Sequence, residues 1–182
     1  MLCSEKKFKL KDGRIAVLRS PKEEDAAELL ALLKDVTRET DFLLRAPEEC
    51  AMTEEQETDW VNNARSSPNT AVFLCEVDGE IAGDCEIVFL SRTKLRHRAV
   101  VGISLRKVYW NLGIGTAMFE EMIRLAKERG GIIQLELEVM EGNDRAIHLY
   151  EKMGFRIVAA RPNAFSLEDG SLRDEYIMVR EL

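Results

Sequence analysis

Two hydrophobic periods follow one another along this chain, and each period predicts a different kind of element. Short runs rich in Val, Ile, Leu and Phe predict strands, whereas apolar residues spaced three and four apart predict helices. The predicted strands are residues 14–19, 70–77, 80–89, 100–105, 132–139, 156–160 and 176–179. The predicted helices run from Ser20 to about Val36, from Thr53 past Ala64, through Met118 to Gly130, and from Asn143 to Gly154. This order predicts an α/β fold that has a mixed sheet with helices on both faces.

Turn and capping signals support several of these boundaries. Ser20 can cap the first helix, because Pro21 suits the first helical position and Glu23 completes a capping box. The link Asp78-Gly79 joins two β-rich runs. A two-residue link of this type is a strong hairpin signal, so the two runs are predicted to be antiparallel.

Two glycines lie at a junction between a strand and a helix. Gly113 and Gly115 follow the strand predicted at 100–105 and precede a helix whose apolar stripe runs from Met118 to Ala126. A turn without side chains lets backbone N–H groups approach an anion, and a helix N-terminus adds roughly half a positive charge. The junction can therefore bind a pyrophosphate. Taken alone, the same glycines are equally well explained by a tight turn that packs the helix on the strand.

A second motif begins thirty residues after Gly113. From Asn143 to Phe155 the chain reads Asn-Asp-Arg-Ala-Ile-His-Leu-Tyr-Glu-Lys-Met-Gly-Phe. This segment predicts a short helix with Asn143 as its N-cap and Gly154 as its C-terminal stop. One predicted strand separates the two motifs.

Together the two motifs resemble those of the GNAT superfamily of acetyl-CoA-dependent N-acetyltransferases. That family has a Gly-x-Gly cofactor turn followed by Asn-x-x-Ala-x-x-Leu-Tyr…Gly-Phe, and both stand here in that order. The motifs span residues 100–155, and the flanking elements extend the resemblance to nearly the whole chain. The resemblance implies a mixed, mostly antiparallel sheet flanked by helices on both faces. It also implies acetyl-CoA as co-substrate and acetyl transfer to a primary amine by direct attack on the thioester.

The resemblance further implies which residues bind the cofactor. Backbone N–H groups of the glycine turn would hold the pyrophosphate, backbone groups of the preceding strand would pair with the pantetheine amides, and an asparagine would reach the cofactor arm. In chain order these residues are Ile103, Leu105, Leu112, Gly113, Gly115, Thr116 and Asn143. Helix capping by Asn143 is compatible with the same role. Many family members carry Arg or Gln where Trp110 stands, so one side-chain contact to phosphate is expected to be absent.

Acetyl transfer to an amine needs a neutral nucleophile, a polarised carbonyl and a proton for the leaving thiolate. Tyr150 matches the family tyrosine that donates this proton, although an aromatic residue on a short helix is also explained by core packing. Many family members have an acidic residue on the central strand. The matching segment of this chain, residues 97–101, contains no acidic residue. The sequence therefore leaves the general base open. Glu86 on the preceding strand, or Glu39 or Asp41 in the first loop, can relay a proton through water, and His97 is a separate candidate. Capture of the minor neutral fraction of the amine would need no strong base.

The segment between the first two helices has no clean hydrophobic period. In the resembled family this segment borders the acceptor cleft, so Glu39, Asp41 and Phe42 are expected to bind the acceptor. Each of them is also explained as solvated surface. The acceptor is expected to be a small molecule or peptide that carries a primary amine.

Composition and charge limit the class of protein. A length of 182 residues with 46% hydrophobic composition predicts a single α/β domain over residues 1–182. Lys and Arg total 26 and Asp and Glu total 33, so the net charge is 26 − 33 = −7. This charge argues against nucleic acid as a partner and is consistent with a cationic substrate.

The cysteines and the apolar runs predict the compartment. The four cysteines form no Cys-x-x-Cys pair, which suggests neither a metal site nor a disulfide framework. Residues 1–13 lack the apolar run of a signal peptide, and no stretch approaches the roughly 20 apolar residues that cross a bilayer. A cytoplasmic protein without a membrane partner is expected, and a homodimer remains open.

Two other functions compete with the enzyme. Gly113 and Gly115, with Glu136 about twenty residues later, resemble a dinucleotide-binding fingerprint. However, Met118 replaces the third glycine, and the preceding half of the chain predicts a hairpin instead of repeated strand-helix-strand units. A GNAT-shaped acyl-CoA sensor without catalysis is the second alternative.

Overall fold

The part of the chain that the structure describes contains one sheet of eight strands. A computed structural model describes Met1 and residues 3–182. The strands are β1 Lys6–Lys9, β2 Ile15–Arg19, β3 Thr70–Val77, β4 Glu80–Phe89, β5 Arg98–Leu105, β6 Gln134–Met140, β7 Arg156–Ser166 and β8 Leu172–Glu181. The α-helices are α1 Ala26–Glu39, α2 Glu54–Ser66, α3 Ile114–Arg129 and α4 Asp144–Lys152. The order of the strands in the sheet is β1-β2-β3-β4-β5-β6-β8-β7. Strands β5 and β6 are parallel. Antiparallel pairs join β1 to β2, β2 to β3, β3 to β4, β6 to β8 and β7 to β8. The predicted mixed, mostly antiparallel α/β fold is thereby confirmed.

Tertiary contacts divide the chain into two units. Unit 1 contains Met1–Val88 and Gly102–Met118, and unit 2 contains Phe89–Val101 and Phe119–Leu182. Strand β5 and helix α3 each contribute to both units.

The hairpin of β3 and β4 has the predicted boundaries. Asp78 and Gly79 both have positive φ angles, 54° and 85°, as a two-residue hairpin turn with φ above zero at both positions requires. The signal is local, which is why sequence alone located it correctly.

The start of the first helix differs from the prediction. A 3₁₀ turn at Glu23–Asp25 precedes α1, and Ser20 accepts a hydrogen bond from the N–H of Cys3 at 2.8 Å instead of capping a helix. The buried Asp25 carboxylate accepts from the N–H of Lys22 at 2.7 Å and forms an ion pair with Arg19. This ion pair depends on the position of β2, so the Ser20 capping box was the wrong signal.

The sequence also missed β1 and underestimated the last hairpin. Strand β1 pairs with β2 in antiparallel register, with Lys6 opposite Leu18. Its three lysines hide the strand from a hydrophobic pattern. Strand β7 runs from Arg156 to Ser166, six residues beyond the predicted end, and is exposed over most of its length. Its polar composition gave no apolar period to follow.

The core of unit 1 lies between the two N-terminal helices and the β3–β4 hairpin. Leu29, Leu32 and Val36 of α1 pack with Val61, Leu74 and Ile81, and Leu43 and Trp60 pack against this cluster. In unit 2, the rings of Phe119, Tyr150 and Phe155 form an aromatic cluster with centroids 5.4 to 6.3 Å apart.

Candidate active site

The glycine turn has the backbone geometry of an anion-binding loop. A 3₁₀ turn at Lys107–Tyr109 leads to Asn111 with φ 64° and Gly113 with φ 98°, and α3 begins at the next residue. The carbonyl of Gly113 accepts the hydrogen bond from the Ala117 N–H at 3.1 Å. The first turn of an α-helix has N–H groups without intrahelical acceptors, and Gly115 lies in that turn.

Space at this turn fits the pyrophosphate of coenzyme A. A Cβ placed on Gly113 would meet no atom within 4 Å, so the turn is open where a phosphate would approach. The positive end of the α3 dipole favours negative charge at the same position. Backbone groups of Leu112, Gly113, Gly115 and Thr116 are therefore suited to hold the group.

Neighbouring elements of unit 1 hold the turn in position. The Leu112 carbonyl accepts from the N–H of Lys11 at 3.1 Å, and the buried Tyr109 donates its hydroxyl hydrogen bond to Glu80 at 2.9 Å. The Trp110 indole N–H donates to the carbonyl of Leu105 at 2.8 Å. At the position where the resembled family often has Arg or Gln, Trp110 thus ties the turn to β5.

The two halves of strand β5 differ in pairing and in exposure. Its parallel pairing with β6 covers Arg98, Ala99 and Val100. All four residues from Gly102 to Leu105 are partly exposed. A buried strand was predicted for residues 100–105, and within that range only Val101 is buried. The backbone of Ile103 and Leu105 belongs to this accessible half, which is what pairing with an extended ligand requires.

A cavity of about 340 Å³ opens beside this half of β5, within unit 1. Its apolar wall includes Leu29, Leu33 and Val36 of α1, Leu43 and Met52 of the following loop, and Trp60 of α2. Its polar lining is Thr37, Arg45, Glu57, Asp84, Glu86 and Ser104.

Three carboxylates face this cavity, and burial disfavours the charged form of each. Burial raises the pKa of Asp84 to about 6, with the hydrogen bond from Ser104 opposing the increase and the charge of Glu86 adding to it. Burial also raises the pKa of Glu86. The pKa of Glu57 is raised by burial and then by the charge of Asp84, while Arg45 lowers it.

Glu86 and Asp84 are two positions apart on β4, so their side chains share one face of the strand. The side chain of Glu86 lies over Gly102 of β5, because a Cβ on that glycine would be 3.8 Å from Glu86 Cγ. Gly83 permits this close approach of the strands, since a Cβ there would be 2.3 Å from the carbonyl oxygen of Ser104.

The second motif forms a capped helix in unit 2. Asn143 accepts a hydrogen bond from the Ala146 N–H at 3.3 Å, which confirms it as the N-cap of α4. The last turn is followed by Gly154 with φ 85°. Tyr150 is buried, and burial raises its pKa to about 12. Its ring contacts Phe119 edge-on at 5.4 Å.

The model of the acetyltransferase (GNAT) family matches residues 31–155. The chain belongs to this family. Residues 31–155 contain the cofactor turn, the cavity-lining part of β4 and the Asn143 motif.

A relative and two solved structures describe the similarity more closely. L-amino acid N-acetyltransferase AaaT of Escherichia coli (strain K12) is 28% identical over 121 residues, which cover 66% of this chain and 74% of that protein. A GNAT-family acetyltransferase from Streptococcus pneumoniae matches with TM-score 0.85 and 34% identity over 92% of this chain and 99% of that chain. The structure of yncA from Salmonella typhimurium with its cofactor acetyl-CoA has the same fold, with TM-score 0.78 and 17% identity over 92% and 94% of the two chains.

This GNAT protein is therefore an acyltransferase that moves an acetyl group from acetyl-CoA to an amine. The dinucleotide-binding alternative fails on the fold, because a doubly wound domain needs a parallel sheet and this sheet is mostly antiparallel. Among the described residues, no helix is both long enough and apolar enough to span a membrane.

The structure distributes the expected acceptor residues unevenly. Glu39 ends α1 and accepts a hydrogen bond from the backbone N–H of Lys107 at 2.6 Å, beside the cofactor turn. Asp41 and Phe42 are exposed and do not line the cavity. Leu43, the next residue of this loop, does line it.

Sequence reasoning missed five of the six polar residues that line this GNAT cavity, namely Thr37, Arg45, Glu57, Asp84 and Ser104. Glu57 lies on α2, Asp84 on β4 and Ser104 on β5, and only the tertiary structure brings them to one cavity. A signal for Asp84 was available, because it shares a strand face with Glu86 between residues that are otherwise buried. No comparable signal exists for Glu57, which lies in a helix with acids at four of its first six positions.

Proposed function

We propose that the chain acetylates a primary amine that binds in the unit 1 cavity and attacks the acetyl thioester directly. One observation carries this proposal. Ser104 lines the cavity and stands between Ile103 and Leu105, the residues expected to pair with pantetheine. The cavity therefore opens beside the strand along which the thioester arm would lie. AaaT, named for L-amino acids, supports an amine of this kind.

The backbone of this chain would do most of the work of cofactor binding. N–H groups of Leu112, Gly113, Gly115 and Thr116 would hold the pyrophosphate, and backbone groups of Ile103 and Leu105 would pair with the pantetheine amides. The Leu105 carbonyl oxygen already accepts a hydrogen bond from the Trp110 indole N–H. Its second lone pair can accept a hydrogen bond from a pantetheine amide. Asn143 would contact the cofactor arm while its side-chain oxygen caps α4. Acetyl-CoA supplies the activated acetyl group.

We assign proton removal from the amine to Glu86. Its carboxylate faces the cavity, and its raised pKa brings it closer to the working pH, where a general base is most effective. Asp84 is held by Ser104 and, with a pKa of about 6, is mostly ionised at neutral pH. This second carboxylate would attract the ammonium form of the acceptor. Glu39 accepts a hydrogen bond from the Lys107 N–H, and we assign it to positioning Lys107 beside the cofactor. Asp41 and Phe42 would contact the exposed part of the acceptor.

Tyr150 would donate to the departing thiolate. A pKa of about 12 keeps its hydroxyl protonated over the whole working range, as a donor must be. An ordinary thiol has a pKa of about 8.5. Full transfer of the proton from the Tyr150 hydroxyl to the thiolate is therefore unfavourable, because the pKa of the donor is higher by roughly three to four. We therefore expect Tyr150 to donate a hydrogen bond that stabilises the leaving sulfur. The proton that the amine gives to Glu86 would then return through solvent to protonate the released thiolate.

An assay of thiol release from acetyl-CoA tests the proposal. Primary amines, alcohols and thiols are compared as acceptors, together with the variant Glu86→Gln and the control Glu55→Gln. We expect only amines to react, and Glu86→Gln to lower kcat by roughly 10²-fold or more at neutral pH. Glu55 is exposed on α2 and should have no effect. Reaction of alcohols or thiols alone, or native kinetics in Glu86→Gln, would contradict the assignment.

We also propose a cytoplasmic location and a homodimer. None of the four cysteines, all of which the structure describes, forms a disulfide, which suits a reducing compartment. Strand β7 ends the strand order and exposes Ile157 and Val158, which offers an apolar edge to a second copy. Sedimentation equilibrium of the purified chain distinguishes a dimer from a monomer.

A further inference from the structure

We propose that the acceptor is a small primary amine attached to an apolar body, and that Glu57 receives its ammonium group on entry. This inference rests on the proposed function and narrows it from amines in general to hydrophobic monoamines. It follows from how the walls of the unit 1 cavity are divided between apolar and acidic side chains.

The apolar part of the cavity is extensive. Eight of its fourteen lining residues are Leu, Val, Met or Trp, contributed by α1, the loop after it, and α2. Apart from the indole N–H of Trp60, the side chains of this wall offer no strong hydrogen-bond donor or acceptor to a ligand rich in hydroxyl groups. Burial of an apolar group against it is favourable, and an aminoglycoside or a sugar amine would lose hydrogen bonds to water on entry.

The acidic lining of the cavity consists of three carboxylates from two elements. Asp84 and Glu86 share a face of β4, and Glu57 approaches from α2. Glu57 is only 7% exposed, although it lines the cavity. Among the described residues, no hydrogen bond or ion pair reaches its carboxylate, although the charge of Arg45 in the same cavity lowers its pKa. A carboxylate buried to this degree normally has a partner, and an ammonium group in the cavity would supply it.

The charge of Asp84 contributes to the raised pKa of Glu57, so the two carboxylates act on each other electrostatically. A cation that binds near both relieves this repulsion. One such cluster suits one ammonium group. A polyamine would have to bury its second charge against the Leu and Val side chains of α1.

The size of the cavity agrees with a small acceptor. Its volume of about 340 Å³ lies at the small end of the range for ligand pockets, which is roughly 300–1,000 Å³. A free hydrophobic amine, a hydrophobic amino acid and the first residue of a peptide all share the required chemistry.

Matched acceptors in the thiol-release assay test the apolar requirement. Leucinamide is compared with glutaminamide, which has similar size and a polar side chain, and with spermidine and an aminoglycoside. We expect kcat/KM for leucinamide to exceed that of each of the others by at least roughly 10²-fold. Isoamylamine, free leucine and a short peptide that begins with leucine then identify which source of the hydrophobic amine is used.

Two variants test the separate roles of the acidic and the apolar residues that line the cavity. Glu57→Gln should raise KM for leucinamide by at least roughly tenfold while the affinity for CoA stays unchanged, since a charged partner is lost from the acceptor side alone. The exposed Glu55→Gln on the same helix should leave KM unchanged. Leu33→Asn, at a partly buried position of the apolar wall, should reduce the preference for leucinamide over glutaminamide.

The outcomes separate this inference from the proposed function. Turnover of amines with glutaminamide, spermidine or an aminoglycoside equal to or better than leucinamide overturns the inference and leaves acetyl transfer in place. An unchanged KM in Glu57→Gln removes Glu57 from the acceptor site. If no amine reacts, the proposed function fails and this inference fails with it.

Discussion

Tyr150 combines a packing role and a proposed chemical role, and one substitution separates them. In Tyr150→Phe the ring contacts to Phe119 and Phe155 are retained and only the hydroxyl is removed. We expect native thermal stability and CoA affinity, with kcat lower by roughly 10²–10⁴-fold. Tyr176→Phe on β8 is the matched control, because its hydroxyl contacts Glu141. Native turnover in Tyr150→Phe would assign the residue to packing alone.

Asp84 links the site to the pH dependence of stability. Its pKa is about 6 in the folded protein against a model-compound value of 3.8, so the native state binds this proton more tightly than the unfolded state. The free energy of unfolding should therefore fall as pH rises from about 4 to about 6, and ionised Asp84 continues to oppose folding above that range.

The variant Asp84→Asn removes this charge. We expect it to be more stable than the native protein at pH 8 by about 1–2 kcal/mol, after allowance for the partial accessibility of the side chain, with the difference vanishing below pH 4. Denaturant unfolding at both pH values measures it. Acetyl transfer should be slower in the same variant. A loss of stability at pH 8 would mean that the ionised carboxylate is compensated by its surroundings.

The cofactor turn is an element whose backbone conformation can be tested with a matched pair. Gly113 and Gly170 both have positive φ angles, 98° and 79°, and neither would bring a Cβ within 4 Å of another atom. Gly113→Ala and Gly170→Ala should each lose about 1–2 kcal/mol of stability through backbone strain.

Only Gly113→Ala should weaken CoA binding, by at least roughly tenfold, since its methyl group enters the space where phosphate meets the N–H groups. Isothermal titration with CoA measures both variants. Gly115→Val provides a second test without a positive φ angle, because Gly115 lies inside α3. Equal CoA affinity in all three variants would locate the phosphate elsewhere.

The whole molecule responds to ligands through its folded state. A ligand that binds only the folded chain stabilises it by about 2.7 kcal/mol at a concentration 100 times its Kd. We expect acetyl-CoA to raise Tm in this way and NAD to leave it unchanged, since the mostly antiparallel sheet lacks the repeated strand-helix-strand halves of a dinucleotide fold. Thermal-shift titration with both ligands compares them, and a shift with NAD alone would be incompatible with this expectation.

Elements with a strong local signal were predicted with nearly correct bounds. The β3–β4 hairpin follows from Asp78-Gly79, the start of α2 from the Thr53 cap with Gln56, and α4 from Asn143 and Gly154. In each case the deciding groups lie within a few residues of one another. Strand β1 and the start of α1 depend on partners elsewhere in the chain, and both were missed or misplaced.

The sequence by itself determined the family through its motifs, and it located the glycine turn, because a turn before a helix is defined by adjacent backbone groups. It also named Glu86 and Tyr150 as catalytic candidates. The tertiary structure decided the cavity of unit 1, since Glu57, Asp84 and Ser104 come from α2, β4 and β5 and no local pattern relates them. The alternation along β4 tells which residues share a face, but what packs opposite that face is set by long-range contacts. The perturbed pKa of Asp84 has the same origin, because it arises from burial by other elements.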